Sequence, residues 1–287
     1  MKQLVVISGK GGTGKTSIVA ALAALAENKV LADCDVDAAD LHLILNPEIQ
    51  HSEDFSGGSI AELDKEKCIE CGKCLELCRF SAIDENYNIS RTGCEGCGVC
   101  AHFCPADAIS MHEKISGKWF VSDTRFGPLV HAKLGIAEDN SGKLVSRVKD
   151  EAKKTAEAGN HSLIIIDGSP GIGCPVIASI AGASAVLIVT EPTVSGLHDM
   201  ERVAELTGHF KIRTFVCINK FDLNADITKR TEQFCADSGT PVIGKIPYMA
   251  EITKAQIAAQ SIIEFAPDNP ASREIQEMWK ILKKELE

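Results

Sequence analysis

The sequence predicts an α/β fold, with a mostly parallel sheet flanked by helices and a small cysteine-rich domain inserted into one loop. Three observations predict this. Apolar, β-branched segments alternate with helical segments along most of the 287 residues, which is the pattern of βαβ units. A glycine-rich loop, GKGGTGKT, separates the first strand from the first helix. Between residues 64 and 113 the alternation stops, and eight cysteines follow at regular spacing.

The N-terminal segments predict one βαβ unit. KQLVVIS, residues 2–8, is a short apolar run that stops at a glycine, as a buried parallel strand does. Residues 15–28 are rich in Ala and Leu and predict a helix, and residues 30–35 predict the second strand. A strand, a glycine loop, a helix and a strand in this order require parallel pairing.

The alternation resumes after the cysteine segment. Residues 116–136 predict extended structure that returns to the sheet, and residues 144–159 predict a helix with a charged face. Further strands are predicted in SLIIIDGSPG, AVLIVTEP, RTFVCINKFD and PVIGKIPY, with helices between them and an amphipathic helix at residues 271–287. We therefore expect a discontinuous main domain, residues 1–63 and 114–287, and an inserted domain, residues 64–113.

Composition limits the classes of partner. The chain is 45% hydrophobic and 24% charged, as is usual for a globular protein with a core. A net charge of −10 disfavours broad binding to nucleic acid, which needs a basic surface. Neither a signal peptide nor a run of ~20 apolar residues is visible. We expect a cytoplasmic protein without stable membrane insertion, in which clustered cysteines hold metal rather than form disulfides.

The cysteines form an internal repeat. Each run reads C-x2-C-x2-C-x3-C, and a shift of 26 residues maps the first run onto the second and Ala82–Ile83 onto Ala108–Ile109. This is the spacing of bacterial two-cluster ferredoxins, in which three close thiolates bind one cubane and the fourth reaches the other. The predicted ligands are Cys68, Cys71, Cys74 and Cys104 for one [4Fe–4S] cluster, and Cys94, Cys97, Cys100 and Cys78 for the second.

Two zinc sites are the alternative interpretation of these cysteines. Zinc sites usually use two separated C-x2-C hooks, so eight cysteines in two matching runs favour clusters. The first run departs from the ferredoxin pattern at Arg79, where proline is usual, but this change removes no ligand. Of the other cysteines, Cys217 and Cys235 are predicted to lie in the core.

The glycine-rich loop fits G-x4-G-K-[ST], the P-loop, and it has the strand and helix neighbours that this motif requires. Backbone amides at a helix N-terminus attract phosphate. The predicted nucleotide-binding residues are Gly9, Lys10, Gly11, Gly12, Thr13, Gly14, Lys15 and Thr16. Lys15 would reach the β- and γ-phosphates and Thr16 would ligate Mg²⁺, so ATP and Mg²⁺ are the predicted cofactors.

A second lysine, Lys10, and the stretches DCDVDAADL, IIIDGSPGIG and NKFD carry a resemblance to a known family. The chain resembles the deviant P-loop ATPases of the MinD/ParA/Mrp group, which includes the nitrogenase iron protein. With the cysteine runs, it resembles MinD-like ATPases with an inserted two-cluster ferredoxin domain. The resemblance implies the P-loop NTPase fold and a dimer, either of this chain or with a paralogous ATPase, in which Lys10 contacts nucleotide across the interface.

The resemblance also implies roles for individual residues. It makes Lys10, Lys15 and Asp35 catalytic, with Asp35 handling the attacking water, and it implies Asp167 near Mg²⁺, Gly171 near the γ-phosphate, Asn219 reading adenine and Pro247 closing over the base. Ser169 departs from related switches, which often have proline there. Cys174 has the same offset from the switch aspartate as a cluster-binding cysteine of the nitrogenase iron protein. It would therefore hold a cluster at the dimer interface, or else be a buried thiol.

Two functions remain open from the sequence. In the first, an ATP-hydrolysing iron–sulfur protein couples nucleotide-dependent dimerisation to electron transfer, or to metal or cluster handling, on a redox or metal-cluster partner. In the second, the chain is a MinD/ParA-like positioning or partition ATPase whose clusters are structural or sensing. The second would need a membrane-binding helix or a basic DNA-binding surface, and the acidic residues of the last helix favour a docked helix instead.

Overall fold

A computed structural model describes residues 1–135 and 141–287, and it divides into two compact units. Unit 1 comprises Met1–Ser52, Trp119–Lys133 and Ser141–Glu287. Unit 2 comprises Glu53–Lys118 and a short segment from Leu134. The cysteine segment lies in unit 2, whose limits extend beyond residues 64 and 113 because long strands flank the cysteines on both sides.

The strands within the described residues form one sheet in the order β3-β4-β5-β2-β6-β1-β7-β8-β9. They are β1 Lys2–Ser8, β2 Lys29–Asp33, β3 Glu48–Leu63, β4 Ile109–Thr124, β5 Gly127–Leu134, β6 Leu163–Pro170, β7 Ala185–Thr190, β8 Arg213–Asn219 and β9 Val242–Ile246. From β5 to β9 in this order, every two adjacent strands are parallel to each other. The α/β fold with a mostly parallel sheet is therefore confirmed, while β3 was not predicted as a strand.

Helices connect the parallel strands. In unit 1 they are α1 Lys15–Leu25, α2 Leu41–Leu45, α5 Ser141–Ala158, α6 Cys174–Ile180, α7 Val194–His209, α8 Ala225–Ser238, α9 Ala250–Ile257, α10 Ile262–Phe265 and α11 Pro270–Leu286. Short polar side chains cap several N-termini, as the sequence favours; for example, Thr193 accepts a hydrogen bond from the Gly196 amide. None of the helices described is both long and apolar enough to cross a bilayer.

The core of unit 1 lies between the sheet and its helices. Strands β1, β6 and β7 are buried along nearly their whole length, because aliphatic residues occupy both faces. The closing helix α11 buries Ile275, Met278 and Leu282 in this core, so its apolar face is already covered. The register of β2 against β6 pairs Asp33 with Asp167, and this brings polar residues together at the carboxyl edge of the sheet, where parallel α/β sheets bind ligands.

Unit 2 repeats one local structure. Helices α3, Lys73–Leu77, and α4, Val99–His102, each follow a glycine in the left-handed region, at φ 76° for Gly72 and φ 74° for Gly98. These two glycines are related by the same 26-residue shift as the cysteines. Buried Ala and Ile residues follow each helix, as the sequence repeat requires: Ala82, Ile83, Ala108 and Ile109.

Candidate functional site

The glycine-rich loop joins β1 to α1 at the carboxyl edge of the sheet. Gly12 and Gly14 have φ angles of 81° and 89°, a left-handed conformation that glycine adopts without strain. A Cβ at Gly14 would also lie 2.3 Å from Nδ2 of Asn219. Both the backbone conformation and the close approach of Asn219 therefore require glycine at position 14.

The loop forms one wall of a cavity of about 620 Å³, a volume in the range of small-molecule sites. The predicted site residues that line it are Gly11, Gly12, Thr13, Gly14, Lys15, Thr16, Asp35, Asn219 and Pro247. Gly9, Lys10, Asp167 and Gly171 lie next to these residues without lining the cavity. The fold thus collects in one place most of the nucleotide residues that the sequence singled out.

The buried ammonium of Lys15 is surrounded by carboxylates. It forms ion pairs with Asp167 Oδ1 and with Asp35 Oδ2, the second at 3.2 Å. Burial by itself would lower the pKa of Lys15, but attraction to Asp167 and Asp35 outweighs burial and raises it. Burial raises the pKa of Asp33, and its carboxylate neighbour Asp167 raises it further. One lysine facing several carboxylates leaves an excess of negative charge that favours a bound cation.

One oxygen of this cluster has no partner. Asp167 Oδ2 is buried and accepts no hydrogen bond from any described residue, and Thr13 Oγ1 is similarly without a partner. Buried polar atoms are rarely left unsatisfied, so Asp167 Oδ2 fits a ligand supplied from outside the chain. Mg²⁺ suits this oxygen, because Mg²⁺ is usually held by one or two protein oxygens while phosphates and water complete its coordination.

Lys10 is held by the loop between β7 and α7. Its ammonium lies 2.7 Å from Glu191 Oε1 and donates to Thr193 Oγ1 and Ser195 Oγ, both at 3.1 Å. Lys220 contacts the other oxygen, Glu191 Oε2, at 3.0 Å. Partial burial would raise the pKa of Glu191, but the hydrogen bonds from these two lysines hold it below its ordinary range. The lysine predicted to reach a partner's nucleotide is therefore engaged within its own chain.

Asn219 supports the phosphate loop. Its Nδ2 donates to the Thr13 carbonyl at 2.7 Å, and its Oδ1 accepts from the Lys220 amide at 3.0 Å. The amide expected to read adenine thus has both of its polar atoms engaged with backbone in this structure. The Lys220 ammonium also donates to the Gly12 carbonyl at 3.2 Å, a contact that sequence reasoning missed because NKFD was interpreted through Asn219 alone.

The two predicted switch segments are joined by hydrogen bonds. The Cys34 amide donates to the Asp167 carbonyl and the Ser169 hydroxyl donates to the Cys34 carbonyl, both at 2.7 Å. Cys34 and Ser169 are buried. The Gly171 amide, at a φ of 92° for that residue, donates to the Ser8 carbonyl at 2.8 Å. Ser169, which departs from the family pattern, therefore adds a side-chain bond between the switches.

The cavity has an apolar end away from the phosphate loop. Its walls come from α2 and α9 and from the segment before α9, and they include Leu43, Ile44, Tyr248, Met249, Ile252 and Ile257. Leu43 is 60% exposed and Ile257 is 83% exposed, although large aliphatic side chains are usually buried. These exposed apolar walls fit a flat, largely apolar group such as a nucleotide base.

The cysteines of unit 2 line two separate cavities. One is lined by Cys68, Cys71, Cys74 and Cys104, and the other by Cys78, Cys94, Cys97 and Cys100. Each cavity thus receives the four thiols predicted for one cluster, with the fourth contributed by the other run. The repeat extends to hydrogen bonds: Cys78 Sγ accepts from the Ala82 amide at 3.4 Å, and Cys104 Sγ accepts from the Ala108 amide at 3.3 Å.

The arrangement of these thiols bears on the metal. Among the described residues, no three Cys, His, Asp or Glu side chains converge as a single metal ion would require. Tetrahedral zinc, with Zn–S near 2.3 Å, needs sulfurs about 3.8 Å apart. A [4Fe–4S] cubane takes each of its four thiolates at a different iron, so it needs four thiols around one cavity rather than on one ion. Cys174, at the start of α6, is exposed, so the alternative prediction of a buried thiol is wrong. Within the described part of the chain it joins no such group.

Comparison with known protein sequences gives one family. The profile described as the CobQ/CobB/MinD/ParA nucleotide binding domain matches residues 4–262. The uncharacterized protein MJ0578 of Methanocaldococcus jannaschii is 34% identical over 285 residues, 98% of this chain and 96% of that protein. MJ0579, an uncharacterized protein of the same organism, is 27% identical over 277 residues, 92% of this chain and 93% of that protein.

Solved structures agree on the fold. The septum site-determining protein MinD of Pyrococcus horikoshii, complexed with Mg-ADP, matches with a TM-score of 0.61 at 15% identity, covering 99% of this chain and 96% of that one. A chain of the MinC:MinD cell division protein complex of Aquifex aeolicus matches with a TM-score of 0.59 at 20% identity, with the same coverage. At these identities the likeness establishes the P-loop α/β fold alone.

Proposed function

This chain belongs to the CobQ/CobB/MinD/ParA nucleotide-binding domain family, and from that membership we propose that it is a Mg²⁺-dependent ATPase of MinD/ParA type whose dimerisation is switched by ATP. One observation carries the proposal. The buried Lys15 lies beside the glycine-rich loop among Asp35, Asp167 and the nearby Asp33, and Asp167 Oδ2 is without a partner among the described residues. A lysine and an acceptor oxygen placed in this way suit a nucleotide phosphate and its cation.

The proposed binding step exchanges partners around Lys15. Phosphates enter against the backbone amides at the N-terminus of α1, where the helix dipole favours anions. The ammonium of Lys15 then moves from the carboxylates to the β- and γ-phosphates, and Thr16 and Asp167 would hold Mg²⁺. When bound, the cation neutralises charge on the phosphate oxygens.

The proposed hydrolytic step needs positioning rather than covalent chemistry by the protein. Asp35 accepts a hydrogen bond from the attacking water and aligns it with the γ-phosphorus. Burial raises the pKa of Asp35 above its ordinary value, with Lys15 opposing the shift, so the carboxylate gains affinity for a proton of that water. Gly171, whose amide is hydrogen-bonded to the Ser8 carbonyl, is proposed to lie near the γ-phosphate, so that the second switch senses whether this phosphate is present.

Dimerisation is proposed to release Lys10. In this structure Lys10 is bound to Glu191, Thr193 and Ser195 of its own chain. A triphosphate on a facing subunit would compete for the ammonium with more charge than one carboxylate offers. The facing subunit is a second copy of this chain or a paralogue, since one organism holds both MJ0578 and MJ0579 as relatives.

The comparisons support a MinD/ParA-like ATPase better than an electron-transfer protein, so a positioning or partition role is the first candidate. The family of this chain is defined by the nucleotide-binding domain. The solved neighbours are named for cell division and for partition, but at their low identity they add only the fold. In this role the clusters of the cysteine-rich unit would be structural or sensing, and ATP turnover would depend on dimer formation.

A second candidate function rests on a specific observation in unit 2. Each of its two cavities is lined by one complete predicted set of four cysteines. We propose that residues 64–113 form a two-cluster ferredoxin domain, with ligands as predicted from the sequence. Bound [4Fe–4S] clusters would supply one-electron transfer, and ATP-dependent dimerisation would then present them to a redox or metal-cluster partner. Cys174 is proposed as a further ligand only at a dimer interface.

ATP hydrolysis is tested first. The rate per subunit is measured against protein concentration, for the wild type, Lys10→Ala and the control Lys280→Ala, whose exposed lysine pairs with Glu277. We expect a rate that rises with concentration in the wild type and control, and a loss of roughly 10²-fold or more in Lys10→Ala, because removing one oxyanion-stabilising donor costs about that much. Absence of ATP binding by the wild type, or an unaffected Lys10→Ala, would contradict the proposal.

The clusters and the cellular role are tested on the full chain purified without oxygen. The iron–sulfur proposal expects about eight iron and eight acid-labile sulfide per chain, from two [4Fe–4S] clusters, with brown absorption that dithionite bleaches. A colourless protein that binds zinc would contradict it. Co-sedimentation with liposomes or DNA in the presence of ATP, compared with ATPase rates of the oxidised and reduced protein, distinguishes positioning from redox coupling.

A further inference from the structure

Arg125 connects several elements at the apolar end of the nucleotide cavity. It lies in the turn between β4 and β5, and its guanidinium reaches three elements of unit 1. Nη1 donates to the Leu45 carbonyl at 2.9 Å, and Nη2 donates to the carbonyls of Ile44 and Ala259 at 3.1 and 3.0 Å. The carbonyls of Ile44 and Leu45 lie in the last turn of α2, where they have no partner within the helix. Ala259 lies two residues beyond the end of α9.

A carboxylate fixes the guanidinium in this position. Arg125 Nε and Nη2 donate to the two oxygens of Glu264 at 2.6 and 2.9 Å, a bidentate ion pair. Glu264 is itself held, because its Oε2 accepts from the Ser261 amide at 2.8 Å in the capping box of α10. The guanidinium also lies 4.7 Å from the ring centroid of Phe126, which packs against the core. The Glu264 ion pair and the Phe126 ring therefore fix the position of the guanidinium.

The two helices that Arg125 joins form the walls of the cavity's apolar end. Leu43 and Ile44 of α2 line one side, and Ile252 and Ile257 of α9 line the other. Helices α2 and α9 have five and eight residues, and helices this short have little stability of their own in water. Their separation therefore depends on tertiary contacts, and Arg125 bonds to the last turn of α2 and to Ala259, in the segment that directly follows α9.

We propose that Arg125 is a positioning residue that sets the width of the slot for the nucleotide base, without contacting the nucleotide. This inference rests on the proposed function. Arg125 has no bond to the glycine-rich loop, Asp35 or Asp167 among the contacts described, so the phosphate end of the cavity is held by other residues. The residue therefore controls affinity for the base and leaves affinity for the triphosphate group unchanged.

The test compares two ligands that share the triphosphate group, of which only ATP carries a nucleoside, that is, ribose and base. Dissociation constants of MgATP and of Mg-tripolyphosphate are measured by calorimetry for the wild type, Arg125→Ala and Arg125→Lys. Arg213→Ala is the matched control, because Arg213 also pairs with a glutamate, Glu285, and lies over a phenylalanine ring, but in a different part of unit 1.

We expect Arg125→Ala to weaken MgATP about tenfold, equivalent to about 1.4 kcal/mol, and to change tripolyphosphate binding by less than twofold. Arg125→Lys keeps the charge without the planar fork, and it should show a smaller loss with the same selectivity. This variant preserves the test if Arg125→Ala does not fold. Arg213→Ala should bind both ligands as the wild type does.

Three results would overturn the inference. Equal weakening of both ligands by Arg125→Ala or Arg125→Lys would mean that the residue stabilises the whole domain. Unchanged affinity for both ligands would mean that the slot does not depend on Arg125. Failure of the wild type to bind ATP would overturn the proposed function and this inference with it, whereas the first two results overturn the inference alone.

Discussion

The bond between Ser169 and Cys34 gives a direct test of how the two switches are held. Ser169→Ala removes a buried hydroxyl that donates to the Cys34 carbonyl at 2.7 Å, and it leaves that buried carbonyl without this donor. Leaving a buried acceptor unsatisfied costs about 1–3 kcal/mol. At about 2–4 °C per kcal/mol for a domain of this size, the melting temperature should fall by roughly 2–12 °C.

The same substitution should change turnover. Cys34 lies between Asp33 and Asp35. Without the bond to its carbonyl, the backbone at this point is less restrained, and the position of Asp35 relative to Asp167 is less fixed. Because displacements near 1 Å can cost about 10²-fold in rate, we expect kcat for ATP to fall roughly tenfold, with a smaller change in KM.

The assay pairs thermal unfolding with steady-state hydrolysis for Ser169→Ala, Ser169→Thr and Ser179→Ala. Ser169→Thr keeps the hydroxyl and should restore most of both quantities. Ser179 is a buried serine whose hydroxyl bonds to the Pro175 carbonyl within its own helix, so Ser179→Ala should leave kcat unchanged. The reasoning is refuted if Ser169→Ala melts within 1 °C of the wild type with unchanged kcat, or if Ser169→Thr is as impaired as Ser169→Ala.

Three further predictions follow from single contacts. Gly14→Ala should abolish nucleotide binding measured by calorimetry, because its Cβ would lie 2.3 Å from Nδ2 of Asn219 at a φ of 89°; retained binding would contradict the described loop. Glu191→Gln should strengthen ATP-dependent dimerisation several-fold in analytical ultracentrifugation, because it weakens the ion pair that holds Lys10 at 2.7 Å; a weaker dimer would mean that Glu191 acts across the interface instead. Burial lowers the pKa of His131 to about 4 from 6.5, so the unfolded state binds more protons between these values, and stability should fall by up to about 3 kcal/mol as the pH drops through this window. The free energy of unfolding, measured with urea at pH 7 and pH 4.5, should fall less in His131→Gln than in the wild type. Equal falls in the two proteins would contradict the assignment.

The nucleotide loop and the cysteine pairing illustrate what could be predicted from sequence. GKGGTGKT predicts its own conformation, because the glycines that permit left-handed φ angles and the lysine expected to face phosphate are neighbours in the chain. The cysteine spacing predicted two groups of four with crossed fourth members, and the cavities of unit 2 contain these groups. In both cases the information is local, since short spacings on one backbone decide which atoms converge.

Other parts of the site could not be predicted in this way. The resemblance implied that Asn219 reads the base, and nothing in the sequence indicated that its amide bonds to the Thr13 carbonyl. The strand β3 was missed because most of its residues are polar and exposed, so it lacks the apolar alternation by which strands are recognised. No sequence pattern indicated the role of Arg125, because a single arginine in a turn cannot be distinguished in the sequence from an ordinary surface residue.

The sequence by itself determined the class of fold, the phosphate loop and the grouping of the eight cysteines. Tertiary structure alone decided that Lys10 bonds to a loop 183 positions away, that Ser169 bonds to Cys34 across 135 positions, and that Arg125 joins both walls of the cavity. The physical reason is that each of these bonds depends on the register and separation of elements distant in the chain. Register and separation are set by the packing of the whole sheet, which no single stretch of sequence encodes.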